Sequence, residues 1–177
     1  RAEATTTALL DKLWTDNGVL VELNPSSHNK TFWDRGTLYV LRGTFRAGYF
    51  DKSLEKLRTF SAHRLLGDHT PYVVEAYPEN NMSHLSAESA LYCRIFIEGI
   101  LGFEQTGFNK CSITPTLSQA LPTLTLDNIH IGKHKVSVHL KLINDRVHTL
   151  ISSNGKTIVN TISGKGQTRS EERRVGK

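Results

Sequence analysis

Apolar residues recur at helical spacing through the first hundred residues of the chain. Four segments place apolar side chains on one face, which predicts helices. Turn residues bound them, with Thr15 to Gly18 after the first and Gly67 after the third. The four predicted helices are Ala4 to Trp14, Gly36 to Tyr49, Lys52 to Leu66 and His84 to Leu101.

The connections between these predicted helices alternate in length. The first, Thr15 to Arg35, is long, the second is only Phe50-Asp51, and the third, Gly67 to Ser83, is long again. Short links join antiparallel neighbours, so the long loops gather at one end of the helices. This rhythm favours helical hairpins of a toroid, with helices 36–49 and 84–101 on its inner side. Long loops on a rigid scaffold commonly carry function.

Beyond Gly102 the apolar period changes from helical spacing to two. Val136, Val138, Leu140 and Leu142 alternate with polar residues, which predicts a strand with one buried face. Turns are predicted at Gly132-Lys133 and at Asn154-Gly155, and Asn-Gly is a strong hairpin signal. The last third therefore reads as a small antiparallel sheet, one layer of a sandwich.

Composition narrows the function classes. The chain has 177 residues, is 38% apolar and carries a net charge of +5. It lacks an apolar run long enough to span a membrane. Its basic residues are scattered rather than clustered, which argues against a nucleic-acid partner. Cys93 and Cys111 are too few for a disulfide framework or a metal motif.

Both ends of the sequence carry an expectation of their own. The chain begins at Arg1 inside a predicted helix, so we expect it to be the C-terminal piece of a longer protein. The last ten residues, TRSEERRVGK, lack an apolar period and resemble a translated vector read. We therefore treat residues 166–177 as a non-native tail outside the fold.

The second long loop contains the best candidate for acid–base chemistry. Glu75 follows the apolar run YVV, and partial burial of a carboxyl group raises its pKa. Aromatic and hydrogen-bonding side chains that suit a sugar surround it in sequence. They are Tyr72, Tyr77, Asn80 and His84. The alternative is that Glu75 only caps a helix or pairs with an arginine.

The first long loop supplies a second set of candidates in the sequence TFWDRG. Trp33 offers a large ring beside a carboxylate, Asp34, and a guanidinium, Arg35. Trp33 could equally pack between helices, and Asp34 could be a helix N-cap. Glu88 lies one turn beyond His84 and could support the site. These two residues lack a second ligand pair, so no metal and no cofactor is predicted.

One long segment of the sequence resembles a known protein family. The segment HTPYVVEAYPENNMSHLSAESALYCRIFIEGILGFEQTGFNKCSITPTL resembles the end of the catalytic barrel in the six-hairpin glycosidases, the α-L-rhamnosidase-like and related families. In that superfamily a glutamate-bearing loop precedes the last inner helix. An exit reading like GLLG then leads into a strand and a small β-domain. The similarity covers roughly residues 4 to 162.

The resemblance implies a fold and an activity. Residues 1–102 would be the end of an (α/α)6 toroid, and residues 103–165 a C-terminal β-domain. The chain would belong to an inverting glycoside hydrolase that cleaves oligo- or polysaccharides. Glu75 would act as general base, and the general acid would come from an earlier hairpin, so residues 1–177 alone would be inactive. Bacterial relatives are commonly secreted or periplasmic, and that analogy is the ground for any localisation.

Two other functions remain open from the sequence. A phosphorylase of the same fold would use phosphate in place of water and would need a cationic pocket near the base. A non-catalytic glycan-binding protein would use Trp33, Tyr72 and Tyr77, with Glu75 only as a hydrogen-bonding group.

Overall fold

The computed structural model describes residues 2–23, 31–66, 73–78, 86–108, 110–131 and 133–164. The chain divides into two compact units, Arg1–Gly99 and Ile100–Lys177. We call them the N-terminal unit and the C-terminal unit.

The N-terminal unit contains helices and short strands in alternation. Helix α1 (Ala2–Ala8) continues as a π-helical turn through Leu13. Strands β1 (Trp14–Thr15) and β2 (Gly18–Val19) form a tight antiparallel pair. Three longer helices and two more short strands follow. They are β3 (Phe32–Trp33), α2 (Asp34–Arg46), α3 (Phe50–Leu65), β4 (Ala76–Tyr77) and α4 (Ser86–Arg94), which continues as a π-helical turn to Ile100.

Helix α2 is the centre of this unit, because both α3 and α4 pack against it. The rings of Phe45 and Phe50 meet edge to face at a centroid distance of 5.4 Å. The Ser53 hydroxyl donates a hydrogen bond to the Thr44 hydroxyl at 2.7 Å. A Cβ atom at Gly99 would lie 3.3 Å from the Phe45 side chain, so a small residue is needed there.

The prediction of an (α/α)6 toroid is wrong. The described residues form four short helices and ten strands in four small antiparallel sheets, which is not a toroid of helical hairpins. The long connections predicted as loops contain the short strands β2, β3 and β4. Trp14, predicted to end the first helix, lies in β1.

The C-terminal unit is a four-stranded antiparallel meander with a short hairpin before it. Strands β5 (Glu104–Gly107) and β6 (Lys110–Ser112) pair with each other. The larger sheet has the order β10-β9-β8-β7. Its strands are β7 (Thr123–Ile131), β8 (His134–Ile143), β9 (Arg146–Ser153) and β10 (Lys156–Gly164).

Alternation along β8 sets the two faces of this sheet as the sequence predicted. Val136, Val138 and Leu140 are buried and belong to one core with Leu101 and Leu117. The side chains that cover this apolar face include Phe103 and Ile113. They come from the segment between the π-helical turn and β7 rather than from a second large sheet. The predicted turn at Asn154-Gly155 joins β9 to β10, and both residues have positive φ.

Candidate functional site

The two segments that carry the predicted site residues are paired with each other. Strands β3 and β4 are antiparallel, with Trp33 opposite Ala76 and Phe32 opposite Tyr77. The pairing continues one step further, because the Asp34 backbone N–H donates to the Glu75 carbonyl oxygen at 3.1 Å. Residues 41 to 45 positions apart are therefore neighbours, and Trp33, Asp34, Glu75 and Tyr77 belong to two adjacent segments.

Trp33 and Glu75 differ in their exposure from their neighbours. Trp33 is 42% exposed, although it precedes the buried first residue of α2. Glu75 is half-buried and follows Val73 and Val74, which are both buried. Among the described residues Glu75 forms no salt bridge, and its carboxylate lies within electrostatic range of Arg35.

Asp34 is held inside the N-terminal unit by Arg64. The Arg64 Nε donates to both carboxylate oxygens, at 3.1 and 2.9 Å, and Nη2 donates to Oδ1 at 3.0 Å. Both side chains are almost fully buried. Burial raises the pKa of Asp34, and the hydrogen bond and charge of Arg64 oppose that shift. Asp34 is therefore a structural anchor in this arrangement and is not open to a ligand.

Arg64 also connects the site to its surroundings. Its guanidinium carbon lies 3.9 Å from the centroid of the Tyr77 ring and 5.0 Å from that of Phe60. Its Nη2 donates to the Asn17 carbonyl oxygen at 2.7 Å, next to the β1–β2 turn. Arg64 thus contacts Asp34, whose backbone is hydrogen-bonded to Glu75, and also Tyr77, which lies two residues after Glu75.

A second ion pair joins α2 to α4. Arg35 donates from Nε and Nη2 to the Oε1 of Glu88, at 2.9 and 2.7 Å. Glu88 is fully buried, whereas Arg35 is half-exposed. The hydrogen bond to Glu88 and its charge raise the pKa of Arg35, with a smaller contribution from Glu75. The other oxygen of Glu88, Oε2, is buried and has no hydrogen-bond partner among the described residues.

We define the candidate site by the described residues that this geometry brings together. They are Trp33, Asp34, Arg35, Arg64, Glu75, Tyr77 and Glu88. Two arginines pair with two of the three carboxylates, and the third, Glu75, forms no salt bridge among the described residues. Within the described ranges, the Glu88 Oε2 and the Arg64 Nη1 are buried without hydrogen-bond partners, which is costly for polar atoms.

Three predicted residues, Tyr72, Asn80 and His84, lie outside the described residues. Arg64 is the residue that the sequence reading missed. Its signal was present, because Arg64 continues the apolar face of α3 that Leu57 and Phe60 define. An arginine at a core-facing position requires a buried acidic partner, and Asp34 is that partner.

Glu98 is bound by two arginines, neither of which belongs to the candidate site. Arg94 donates to both of its carboxylate oxygens from one turn earlier in the helix, and Arg42 of α2 also pairs with it. Burial raises the pKa of Glu98, but hydrogen bonds and charge from Arg94 and Arg42 outweigh it and leave the pKa lowered.

Metal ligands and membrane-spanning helices are absent from the part of the chain that the structure describes. No group of three or more His, Cys, Asp or Glu side chains there could hold a metal ion. None of the helices in the described ranges is long and apolar enough to cross a membrane.

The chain matches no family model, no curated protein and no solved structure.

Proposed function

We propose that this chain binds a glycan at the candidate site and that Glu75 acts there as the general base of glycoside hydrolysis. One observation carries the proposal. Strand β3, which presents exposed Trp33, pairs with β4, and the Asp34 backbone N–H donates to the Glu75 carbonyl oxygen, so the chain segments that carry an aromatic ring and a carboxylate without a salt bridge among the described residues are adjacent.

Each group has a chemical task in this proposal. The exposed face of Trp33 is an apolar surface with a polar N–H, which suits the C–H face of a sugar ring. The Glu75 carboxylate accepts a proton from the attacking water. The half-exposed guanidinium of Arg35, beside Glu75, is available to donate from its remaining N–H groups to sugar hydroxyls.

An inverting mechanism also requires a carboxylic acid about 6.5–9.5 Å from the base to protonate the leaving oxygen. Asp34 and Glu88 do not fit that task, because each is fully buried and bound to an arginine. Their ion pairs instead hold α2, α3 and α4 around Glu75. The proposal therefore assigns the base and leaves the proton donor outside the described residues.

The absence of a second accessible carboxylate in the described part of the site favours one other function, non-catalytic glycan binding. In that case Trp33 supplies the binding surface, and Glu75 accepts hydrogen bonds from sugar hydroxyls without chemistry. The two functions make different predictions for the same substitution, so one set of variants separates them.

The test is to compare Glu75→Gln and Trp33→Ala with the unmodified gene product for hydrolysis and for binding of neutral oligosaccharides. Loss of a general base lowers turnover by about 100-fold or more, while the neutral isostere keeps binding nearly intact. Trp33→Ala should weaken binding and leave any residual turnover proportional to occupancy. Glu55→Gln, on the exposed side of α3, is the matched control.

Three outcomes are informative. Turnover that survives Glu75→Gln excludes Glu75 as the base. Binding without turnover in the unmodified protein, kept in Glu75→Gln and lost in Trp33→Ala, supports the binding function. Binding that neither substitution changes removes the candidate site from both functions.

A further inference from the structure

The outward face of the four-stranded sheet carries a concentration of basic side chains. Along β8, the buried positions alternate with Lys135, His139 and Lys141, which are all exposed. On β9, Arg146 and His148 lie on the same outward face. We call these five residues the basic face.

Strand register brings these side chains close together. Lys141 lies directly opposite His148, and Arg146 lies at the hairpin end of the same two strands. His139 is two pairs further along, opposite Leu150. Adjacent strands are about 4.8 Å apart, and alternate residues along a strand are about 6.8 Å apart. Lys141, His148 and Arg146 therefore lie close together at the β8–β9 hairpin end, and Lys135 lies six residues, about 20 Å, from Lys141 along β8.

Two acidic residues offset part of this positive charge. The acidic residues between Thr123 and Gly164 are Asp127 and Asp145. Asp127 lies 3.7 Å from the Nε2 of His139, and Asp145 is in the β8–β9 turn. Lys135 and Lys141 project from a strand whose own sequence contains no acidic residue.

The same strands contain no aromatic ring other than histidine. Residues 123–164 include no Phe, Tyr or Trp. Stacking on aromatic rings is how proteins bind the bases of single-stranded nucleic acid, and aromatic faces likewise serve neutral sugars. The basic face does carry partly exposed aliphatic side chains, Leu150 (38%) and Ile162 (55%). Recognition here must therefore be ionic, with aliphatic contacts between the charges.

We infer that the basic face binds an acidic polysaccharide, a polyuronate chain with one carboxylate on each sugar. Such a polymer repeats single negative charges along an extended backbone, and its ring C–H groups can contact Leu150 and Ile162. Lysine and arginine donors form charge-assisted hydrogen bonds with carboxylates. This inference is independent of the candidate site and holds or fails whether or not Glu75 is catalytic.

The test is to measure binding of polygalacturonate to the intact chain at low ionic strength, in parallel with three competitors. The variant Lys135→Gln/Lys141→Gln/Arg146→Gln removes three cations of the basic face. The control Lys12→Gln/Lys52→Gln/Lys56→Gln removes three cations from helical segments of the N-terminal unit, with the same change of net charge. Circular dichroism establishes that both variants are folded.

The expected result is a loss of at least about tenfold in affinity for the first variant, since each exposed charge contributes a modest part. The control should change affinity by less than about threefold, and salt should weaken the binding of the unmodified chain. Neutral dextran should not bind.

Several outcomes would overturn the inference. Equal losses in both triple variants would show that net charge alone attracts the polymer. Equal or tighter binding of polyglutamate would show that the sugar is not recognised. Tighter binding of duplex DNA than of polygalacturonate would identify the face as a nucleic-acid surface instead.

Discussion

The two units of this protein are stabilised in different ways. In the C-terminal unit, an apolar face of a meander sheet packs on residues such as Leu101 and Leu117, and each strand pairs with its neighbour in sequence. In the N-terminal unit, strands β3 and β4 pair across more than forty residues, and ion pairs of two buried carboxylates hold the helices. Local pattern therefore determines one unit, and long-range polar contacts determine the other.

This difference has an energetic consequence. Truncation of a buried apolar side chain lowers the free energy of unfolding in proportion to the volume removed. A buried ion pair responds more steeply, because removal of one partner leaves the other charged, buried and unpaired. Substitutions in the two units should therefore differ in size and in whether they can be rescued.

The largest effect is expected at Arg64. Arg64→Ala leaves the buried Asp34 carboxylate without its partner and removes the contact with the Tyr77 ring. Such a loss costs about 3–5 kcal/mol in the free energy of unfolding. Urea denaturation, followed by a probe of the N-terminal unit such as Trp14 or Trp33 fluorescence, measures it.

Asp34→Asn in the Arg64→Ala background should recover part of that loss, since the uncompensated charge is removed. Lys52→Ala, an exposed position on the same helix, should change stability by less than about 0.5 kcal/mol. A cost of Arg64→Ala below about 1 kcal/mol would mean that the pair does not organise this unit.

The second effect tests the C-terminal unit by apolar truncation. Leu140 is 2% exposed and lies on the buried face of β8, so Leu140→Ala should cost about 2–4 kcal/mol. Leu150 lies on the opposite face of the neighbouring strand, and Leu150→Ala should cost less than about 1 kcal/mol. Thermal unfolding of both variants compares them, and equal costs would contradict the assignment of the two faces.

The sequence predicted the C-terminal sheet well because its signals are local. Alternation along β8 and the Asn154-Gly155 turn each act within a few residues, and strands that follow one another in sequence pair most simply. The bulges, such as the one between Leu126 and Ile129, could not be predicted, because they depend on how the partner strand fits.

The sequence predicted less of the N-terminal unit, and the reason is the range of its contacts. Helices α2 and α3 were located to within a few residues because their apolar residues recur at helical spacing over a long stretch. The pairing of β3 with β4 was invisible, since two-residue strands have no period. The toroid was inferred from loop lengths, and these lengths did not reveal that the loops contain short strands that pair with each other.

The candidate site shows the same division. Trp33, Glu75 and Tyr77 were chosen for their chemistry, and the structure brings them together through a pairing that the sequence did not reveal. Asp34 and Glu88 were chosen as ligands of a substrate, and the structure gives them arginine partners instead. Side-chain type can be read from a sequence, but which charges neutralise each other depends on the fold.

A third prediction concerns the backbone at the start of the C-terminal unit. Gly102 has a φ of +66°, and a Cβ atom there would lie 2.4 Å from the Thr114 carbonyl oxygen. Gly102→Ala therefore adds a backbone clash to the usual strain and should cost about 2–3 kcal/mol. Gly155→Ala, at a φ of +77° with open space around it, should cost only about 1 kcal/mol.

The difference between these two glycines isolates the close approach from the conformation. Differential scanning calorimetry on both variants measures it. If Gly155→Ala destabilises the protein as much as Gly102→Ala, the contact with Thr114 does not contribute.

The smallest effect is expected at Glu98 and depends on pH. Although burial alone raises the pKa of Glu98, Arg94 and Arg42 leave it below its usual value in the folded protein. A carboxyl group with a lowered folded pKa adds stability above its unfolded pKa, and this contribution disappears as the pH falls through the folded value. Because Glu98 is partly exposed, the contribution stays below about 1 kcal/mol.

Glu98→Gln should therefore be slightly less stable than the unmodified protein at pH 7, and the gap should close as the pH falls towards 3. In the Arg94→Gln background, Glu98→Gln should cause a smaller stability difference at pH 7, since one partner of the carboxylate is already removed. Urea denaturation at several pH values measures both. A gap that widens on acidification would reverse the sign of the interaction. In that case burial, rather than the two arginines, would determine the pKa of Glu98. The ion pairs of Glu98 would then contribute nothing to the stability of the contact between α2 and α4.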